Sequence, residues 1–141
     1  MKVSEIMTHE VEVAAPDAIL EAAARKMRDL DVGMLPICDG ERLVGMLTDR
    51  DIAIRAVAEG KDPRRSLVRD AMTPDVRYVF EDDDVEEAAR IMHEVQVRRL
   101  PVLNRQKNLV GIVALGDLAV RNPDEQLSGE VLAGVSTPTG R

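Results

Sequence analysis

Glu21-Ala22-Ala23-Ala24-Arg25-Lys26-Met27 returns 65 residues on as Glu86-Glu87-Ala88-Ala89-Arg90-Ile91-Met92. The same offset lays Met7-Thr8 on Met72-Thr73 and Leu35-Pro36-Ile37 on Leu100-Pro101-Val102. A one-residue insertion near Arg105-Gln106 raises it to 66, so that Leu43-Val44-Gly45 falls on Leu109-Val110-Gly111 and Asp51 on Asp117. The chain is a tandem repeat, residues 3–58 against 68–120. Repeats in tandem bury their apolar faces against each other. Two copies imply a pseudo-twofold pair with a cleft that can hold a ligand at two related positions.

Working outward, Val11 and Val13 alternate with Glu12, a short strand pattern. Pro16-Asp17 then predicts a helix to Leu30, with Leu20, Ala23, Ala24, Met27 and Leu30 on its apolar face. The matching face in the second copy is Val85, Ala88, Ala89, Met92 and Val95, and Asp83 with Glu86 has the spacing of a capping box. Each helix is followed by an apolar strand (34–38 or 99–103), a polar turn, a second strand (43–47 or 109–113) and a second helix (49–58 or 116–121). The fold class is therefore α+β, two β-α-β-β-α repeats. The expected boundaries are 1–62 for the first repeat, 63–121 for the second and 122–141 for a tail rich in Gly, Pro, Ser and Thr.

Composition narrows the function. Each repeat is about 55 residues, too small to stand easily alone, so a shared core is expected. Tyr78 and Phe80 are the sole aromatics, which leaves an aliphatic core. A net charge of -7 argues against nucleic acid, whose phosphates need clustered positive charge. It leaves room for a small anion held by a few local arginines. No apolar run approaches the roughly 20 residues of a membrane span. The first residues carry no signal-peptide pattern, and the one cysteine, Cys38, fits a reducing compartment, so a cytoplasmic location is expected. His9 and His93 have no Cys or His at ligand spacing, which predicts no metal site. Neither a nucleophile–base set nor a phosphate-binding loop can be assembled, which predicts a protein that is not an enzyme.

Two motifs recur. One is an apolar-Pro strand, Gly33-Met34-Leu35-Pro36-Ile37 and Arg98-Arg99-Leu100-Pro101-Val102. The other is Gly45-Met46-Leu47-Thr48-Asp49-Arg50-Asp51, answered by Gly111-Ile112-Val113-Ala114-Leu115-Gly116-Asp117. Set in β-α-β-β-α order, these resemble the cystathionine-β-synthase (CBS) domain, and the tandem pair resembles a Bateman module over residues 3–121. The likeness extends to the small stand-alone bacterial pairs, including the mycobacterial hypoxic-response type. The second copy's arginine and Gly111 segments also look like nucleotide-binding copies in the regulatory subunit of AMP-activated kinase.

The resemblance implies a regulatory module for adenosine-containing ligands such as AMP, ADP, ATP or S-adenosylmethionine, with no cofactor required. It assigns Asp51 and Asp117 to ribose and Thr48 to phosphate or ribose. A carboxylate can accept from both hydroxyls of a diol. It places adenine against Thr8, Val11 and Met46 in one site and against Thr73, Val76 and Ile112 in the other. Arg98 and Arg99 are the candidates for phosphate, because guanidinium offers a planar fork of donors. Strand alternation sends only one of the two to the ligand side. The resemblance also implies a homodimer through helices carrying Ile52, Ala53, Ala56, Val57, Leu118 and Ala119, and a target protein to receive the signal. Bland readings stand beside these. The aspartates could only start helices, the arginines could pair with Glu94 or Asp82–Asp84, and the pair could be an interaction module acting through dimerisation without ligand.

Overall fold

The computed structural model describes residues 1–121; the expected tail, 122–141, lies outside the described residues. Two compact units make up the chain. Unit 2 is Glu12–Val76, and unit 1 combines Met1–Val11 with the described residues from Arg77 on. The units are not coextensive with the sequence repeats, because the opening segment of each repeat is built into the unit that carries the other repeat's helices and strands.

Unit 2 contains α1 (Leu20–Leu30), β1 (Met34–Asp39), β2 (Arg42–Thr48) and α2 (Asp49–Ile52), which runs on as a π-helical turn, Ala53–Val57. Strands β1 and β2 form an antiparallel hairpin. Leu35, Ile37 and Leu47 point to the buried side, where they meet Leu20, Ala23 and Met27 of α1. The expected strand at 11–13 is reduced to one parallel bridge, Ala14 to Ile37. The helix begins at Leu20 rather than Pro16-Asp17. Residues 15–18 form a turn, Ala18 N–H to Ala15 O at 3.1 Å, and the carbonyls of Pro16 and Ala18 accept from Arg69 and Val68. The backbone there is spent on the 3-10 turn Val68–Asp70, so it cannot enter a helix. The first N–H groups of α1 are satisfied instead by carbonyls of the inter-repeat linker, Leu20 to Ser66 at 2.9 Å and Glu21 to Pro63 at 3.0 Å. Leu30 closes the helix half-exposed, outside the core face expected of it.

Unit 1 repeats the plan with β3 (Val79–Phe80), α3 (Val85–Val95), β4 (Arg99–Leu103), β5 (Leu109–Ala114) and α4 (Leu115–Arg121). Strand β3 lies parallel to β4, and β4 antiparallel to β5. Its core gathers Val85, Ala88, Ala89 and Met92 of α3 with Leu100, Val102 and Val113 of the sheet. Val3, Ile6 and Met7 join the same core, all nearly inaccessible. Burying each such side chain contributes roughly 1.5–3 kcal/mol, so this N-terminal segment is a structural part of unit 1. The Asp83–Glu86 capping box does not form. Asp83 Oδ2 accepts from Phe80 N–H at 3.0 Å, which closes the preceding turn, and the helix starts one residue later behind Asp84.

In both units a Met-Thr segment lies along the second hairpin strand. Thr8 and Ile112 exchange backbone hydrogen bonds at 2.8 and 3.0 Å, and Thr73 and Met46 do so at 2.8 and 2.9 Å. Glycine permits the approach. A Cβ on Gly111 would stand 2.7 Å from both Thr8 O and Met7 Sδ, and one on Gly45 would stand 2.8 Å from Thr73 O. Gly111→Ala and Gly45→Ala are each expected to destabilise by about 1–3 kcal/mol, because backbone must move. Gly116→Ala, where a Cβ meets nothing within 4 Å, should be neutral or better. Denaturant midpoints of the three variants check this.

Cys38 is buried at the end of β1, and burial pushes its thiol up to about 11. Little thiolate exists at neutral pH, and the thiolate is the reactive form. A thiol reagent at pH 8 should leave native Cys38 unmodified and label it fully in denaturant. Rapid labelling of the native chain would contradict the burial.

Candidate functional site

The hairpins turn one face to the core and another away from it. In unit 1 the register pairs Arg99 with Ala114 and Pro101 with Ile112, so these four residues share the face opposite Leu100, Val102 and Val113. Arg99 thus stands on the face of Ile112 and Ala114. Arg98 precedes the strand, and its carbonyl accepts from Leu115 N–H at 2.8 Å. Of the two arginines, the register places Arg99 on that face.

Neither guanidinium has an ion-pair or hydrogen-bond partner among the described residues. Glu94, Asp82 and Asp83, among the acids that could have engaged them, are held by other arginines. Glu94 contacts Arg77 at 3.3 Å and Arg90 at 2.7 Å, and Glu87 contacts Arg90 at 2.6 Å. Asp82 and Asp83 contact Arg105, which stacks 4.1 Å over the Phe80 ring. Hydrogen bonding from Arg105 lowers the Asp82 pKa, that from Arg90 lowers Glu87, and that from Arg77 lowers Glu94. No pair of Arg98 or Arg99 with Glu94 or Asp82–Asp84 forms among the described residues.

Asp117 sits half-buried at the start of α4, and its Oδ2 accepts from Ala114 N–H at 3.0 Å. Beyond β5 lies Thr8, whose backbone N–H and carbonyl are both taken by Ile112. The N–H groups of residues 9–11 make no backbone hydrogen bond among the described residues. Backbone recognition of a base would thus fall to residues such as Val11 rather than to Thr8.

The corresponding set in unit 2 is Met34, Pro36, Met46 and Thr48 on one hairpin face, with Thr73 bridged to Met46. Val76 ends the segment, half-exposed. Asp51 is buried. It accepts from Thr48 N–H at 3.0 Å while its own N–H donates to Thr48 Oγ1 at 3.0 Å, a reciprocal cap. Thr73 Oγ1 donates to the same carboxylate at 3.4 Å. Arg55 approaches it at 4.0 Å and donates to Met72 O at 2.9 Å.

The structure corrects one grouping. Position along the repeats placed Thr8 and Val11 with Met46, and Thr73 and Val76 with Ile112. The bridges run the other way, Thr8 to Ile112 and Thr73 to Met46. The physical reason is the exchange of opening segments between units, which carries Met7-Thr8 into the core of unit 1. Arg55 was missed by sequence reasoning; its four-residue spacing from Asp51 was the available signal. Among the described residues no cluster of three His, Cys, Asp or Glu could hold a metal ion, and no helix is long and apolar enough to cross a membrane.

The family model for the CBS domain matches residues 3–57 and again 68–121. The chain is 39% identical over 134 residues to the CBS domain-containing protein YhcV of Bacillus subtilis, covering 95% of this chain and 94% of that protein. It is 40% identical over 124 residues to Hypoxic response protein 1 of Mycobacterium tuberculosis, covering 87% and 86%. Among solved structures, Hypoxic Response Protein I with two coordinated zinc ions superposes with a TM-score of 0.77 at 41% identity, over 84% of this chain and 97% of that one. CBSX2 in complex with AMP gives 0.72 at 29% identity, over 84% and 93%. The CBS domain pair of MJ0100, in complex with 5-methylthioadenosine and S-adenosyl-L-methionine, gives 0.73 at 28% identity, over 84% and 97%. With two matched copies spanning the described residues, the chain belongs to the CBS domain family as a tandem pair.

Proposed function

We propose that this protein is a regulatory module that binds an adenosine-containing ligand and signals by a shift in conformational population rather than by catalysis. The observation that carries the reading is the residue set of unit 1. Arg99, with no partner among the described residues, shares a sheet face with Ile112, and Asp117 lies beside Ala114 at the end of that strand. An apolar strand surface suits a base, a carboxylate suits a ribose diol, and a guanidinium suits a phosphate. The complexes of CBSX2 with AMP and of MJ0100 with two adenosine compounds support this ligand class. A ligand that prefers one conformation shifts the equilibrium toward it by its differential affinity.

Linkage makes this measurable. A ligand binding the native state at 100 times its Kd stabilises it by about 2.7 kcal/mol. The thermal midpoint of the full chain should therefore rise with millimolar AMP, ADP, ATP or S-adenosylmethionine. A midpoint unmoved by all four would discard the sensor reading in favour of a ligand-free interaction module.

One observation favours self-association as part of the output. Val57 is 65% exposed and Ile54 51%, with Leu30 and Val32 also exposed on unit 2. Ala56 and Leu118, expected at a dimer interface, are instead buried within their own units, and the Ala119 side chain lies outside the description. We propose a homodimer that covers Ile54 and Val57. Light scattering at micromolar concentration should return twice the chain mass, and a monomer mass would remove the proposal.

A further inference from the structure

Both repeats set a methionine against a glycine of the second hairpin strand, and the two are buried to different depths. Met7 Sδ stands 2.7 Å from where a Cβ on Gly111 would be, and Met7 is 4% exposed within the core of unit 1. Met72 Sδ stands 2.9 Å from the matching point on Gly45. Met72, however, lies at the margin of the unit 2 core and is only half-buried. A thioether is oxidised where an oxidant can reach it. Of the two equivalent methionines, that leaves Met72 open.

Met72 also holds a contact on which unit 2 depends. Its N–H donates to Val68 O at 2.9 Å, and its carbonyl accepts from Arg55 at 2.9 Å. The next residue, Thr73, exchanges backbone hydrogen bonds with Met46 and reaches the buried Asp51 carboxylate through its hydroxyl. Oxidation turns the thioether into a polar sulfoxide. With Sδ packed on Gly45, the new oxygen has little room on that side. Kept inside, it is a polar atom without a partner, which costs stability. Turned to water, it draws the side chain off Gly45. Either course loosens the Met72-Thr73 segment on β2.

We propose that Met72 is a reversible oxidation switch in unit 2. The oxidant class is a peroxide. The sulfur lone pair attacks one peroxide oxygen, the O–O bond breaks and an S–O bond forms. With hydrogen peroxide the second oxygen leaves as water. A methionine sulfoxide reductase, with a dithiol as electron donor, removes the added oxygen as water and lets the side chain return to Gly45. Met7, shielded in its own core, leaves unit 1 unchanged under the same treatment.

Limited treatment of the full chain with hydrogen peroxide tests this, read by peptide mass spectrometry and a thermal melt. The melt needs no ligand, so it stands apart from the sensor reading. Met72 takes up oxygen before Met7 does, and the thermal midpoint falls by roughly 5 °C. Met72→Leu, a swap of similar volume, keeps the untreated midpoint and loses most of that fall, since leucine cannot take the oxygen. Met1 is exposed and Met34 half-buried, and both oxidise in either chain, so the difference between the chains reads Met72 alone. Should Met72→Leu pack poorly, the oxidised wild-type chain carries the test. Reductases for both sulfoxide epimers together restore its midpoint. Oxidation of Met7 as fast as Met72, a midpoint unmoved once Met72 is oxidised, an equal fall in a well-folded Met72→Leu, or a fall that the reductases do not reverse each overturns the switch.

Discussion

The backbone contact between a Met-Thr segment and a glycine-bearing strand organises both halves of this protein. Each contact is a two-way exchange of hydrogen bonds, Thr8 with Ile112 and Thr73 with Met46. Each needs a residue without a Cβ, because the partner carbonyl lies under 3 Å from where that carbon would be. The rest follows. With Thr8 bridged to Ile112, Val3, Ile6 and Met7 fall into the core of unit 1. With Thr73 bridged to Met46, the 3-10 turn Val68–Asp70 reaches the backbone ahead of α1 and decides where that helix can begin.

The same contact assembles the candidate sites. It brings a threonine from one repeat to the strand of the other, within a single compact unit, and in unit 2 that threonine also reaches Asp51. The outcomes differ because a few side chains differ. Thr48 and Thr73 turn Asp51 inward as part of a cap, a use of carboxylate that stabilises a chain end in the manner of other capping residues. Ala114 withholds a hydroxyl from Asp117, and Arg99 stands where unit 2 has Met34. The two frames match, and they differ at two of these positions, Thr48 against Ala114 and Met34 against Arg99.

The net negative charge does not conflict with an anionic ligand. Ion pairs engage much of the charged surface among the described residues, and exposed pairs of this kind contribute only about 0–1 kcal/mol each to stability. Glu94, Asp82 and Asp83 pair with Arg77, Arg90 and Arg105, and Arg99 forms no ion pair among the described residues.

The sequence by itself determined the duplication, the family, the α+β class and most of the elements, because these rest on local periodicity and on residues repeated at one offset. The helix face of Ala88, Ala89 and Met92 reads as buried from its spacing. The helix starts were misread because Pro16 and Asp83 look like start signals, while their backbone or carboxylate is used in turns instead. Only the tertiary structure decided which Met-Thr segment meets which strand. Met7-Thr8 and Met72-Thr73 are identical, and Gly45 and Gly111 can receive either, so no local preference distinguishes the pairings. The choice belongs to long-range packing of Val3, Ile6 and Met7. The two aspartates, equal in the repeat, differ in sequence by the neighbouring Thr48 against Ala114, and only the tertiary structure adds the Thr73 hydroxyl to Asp51.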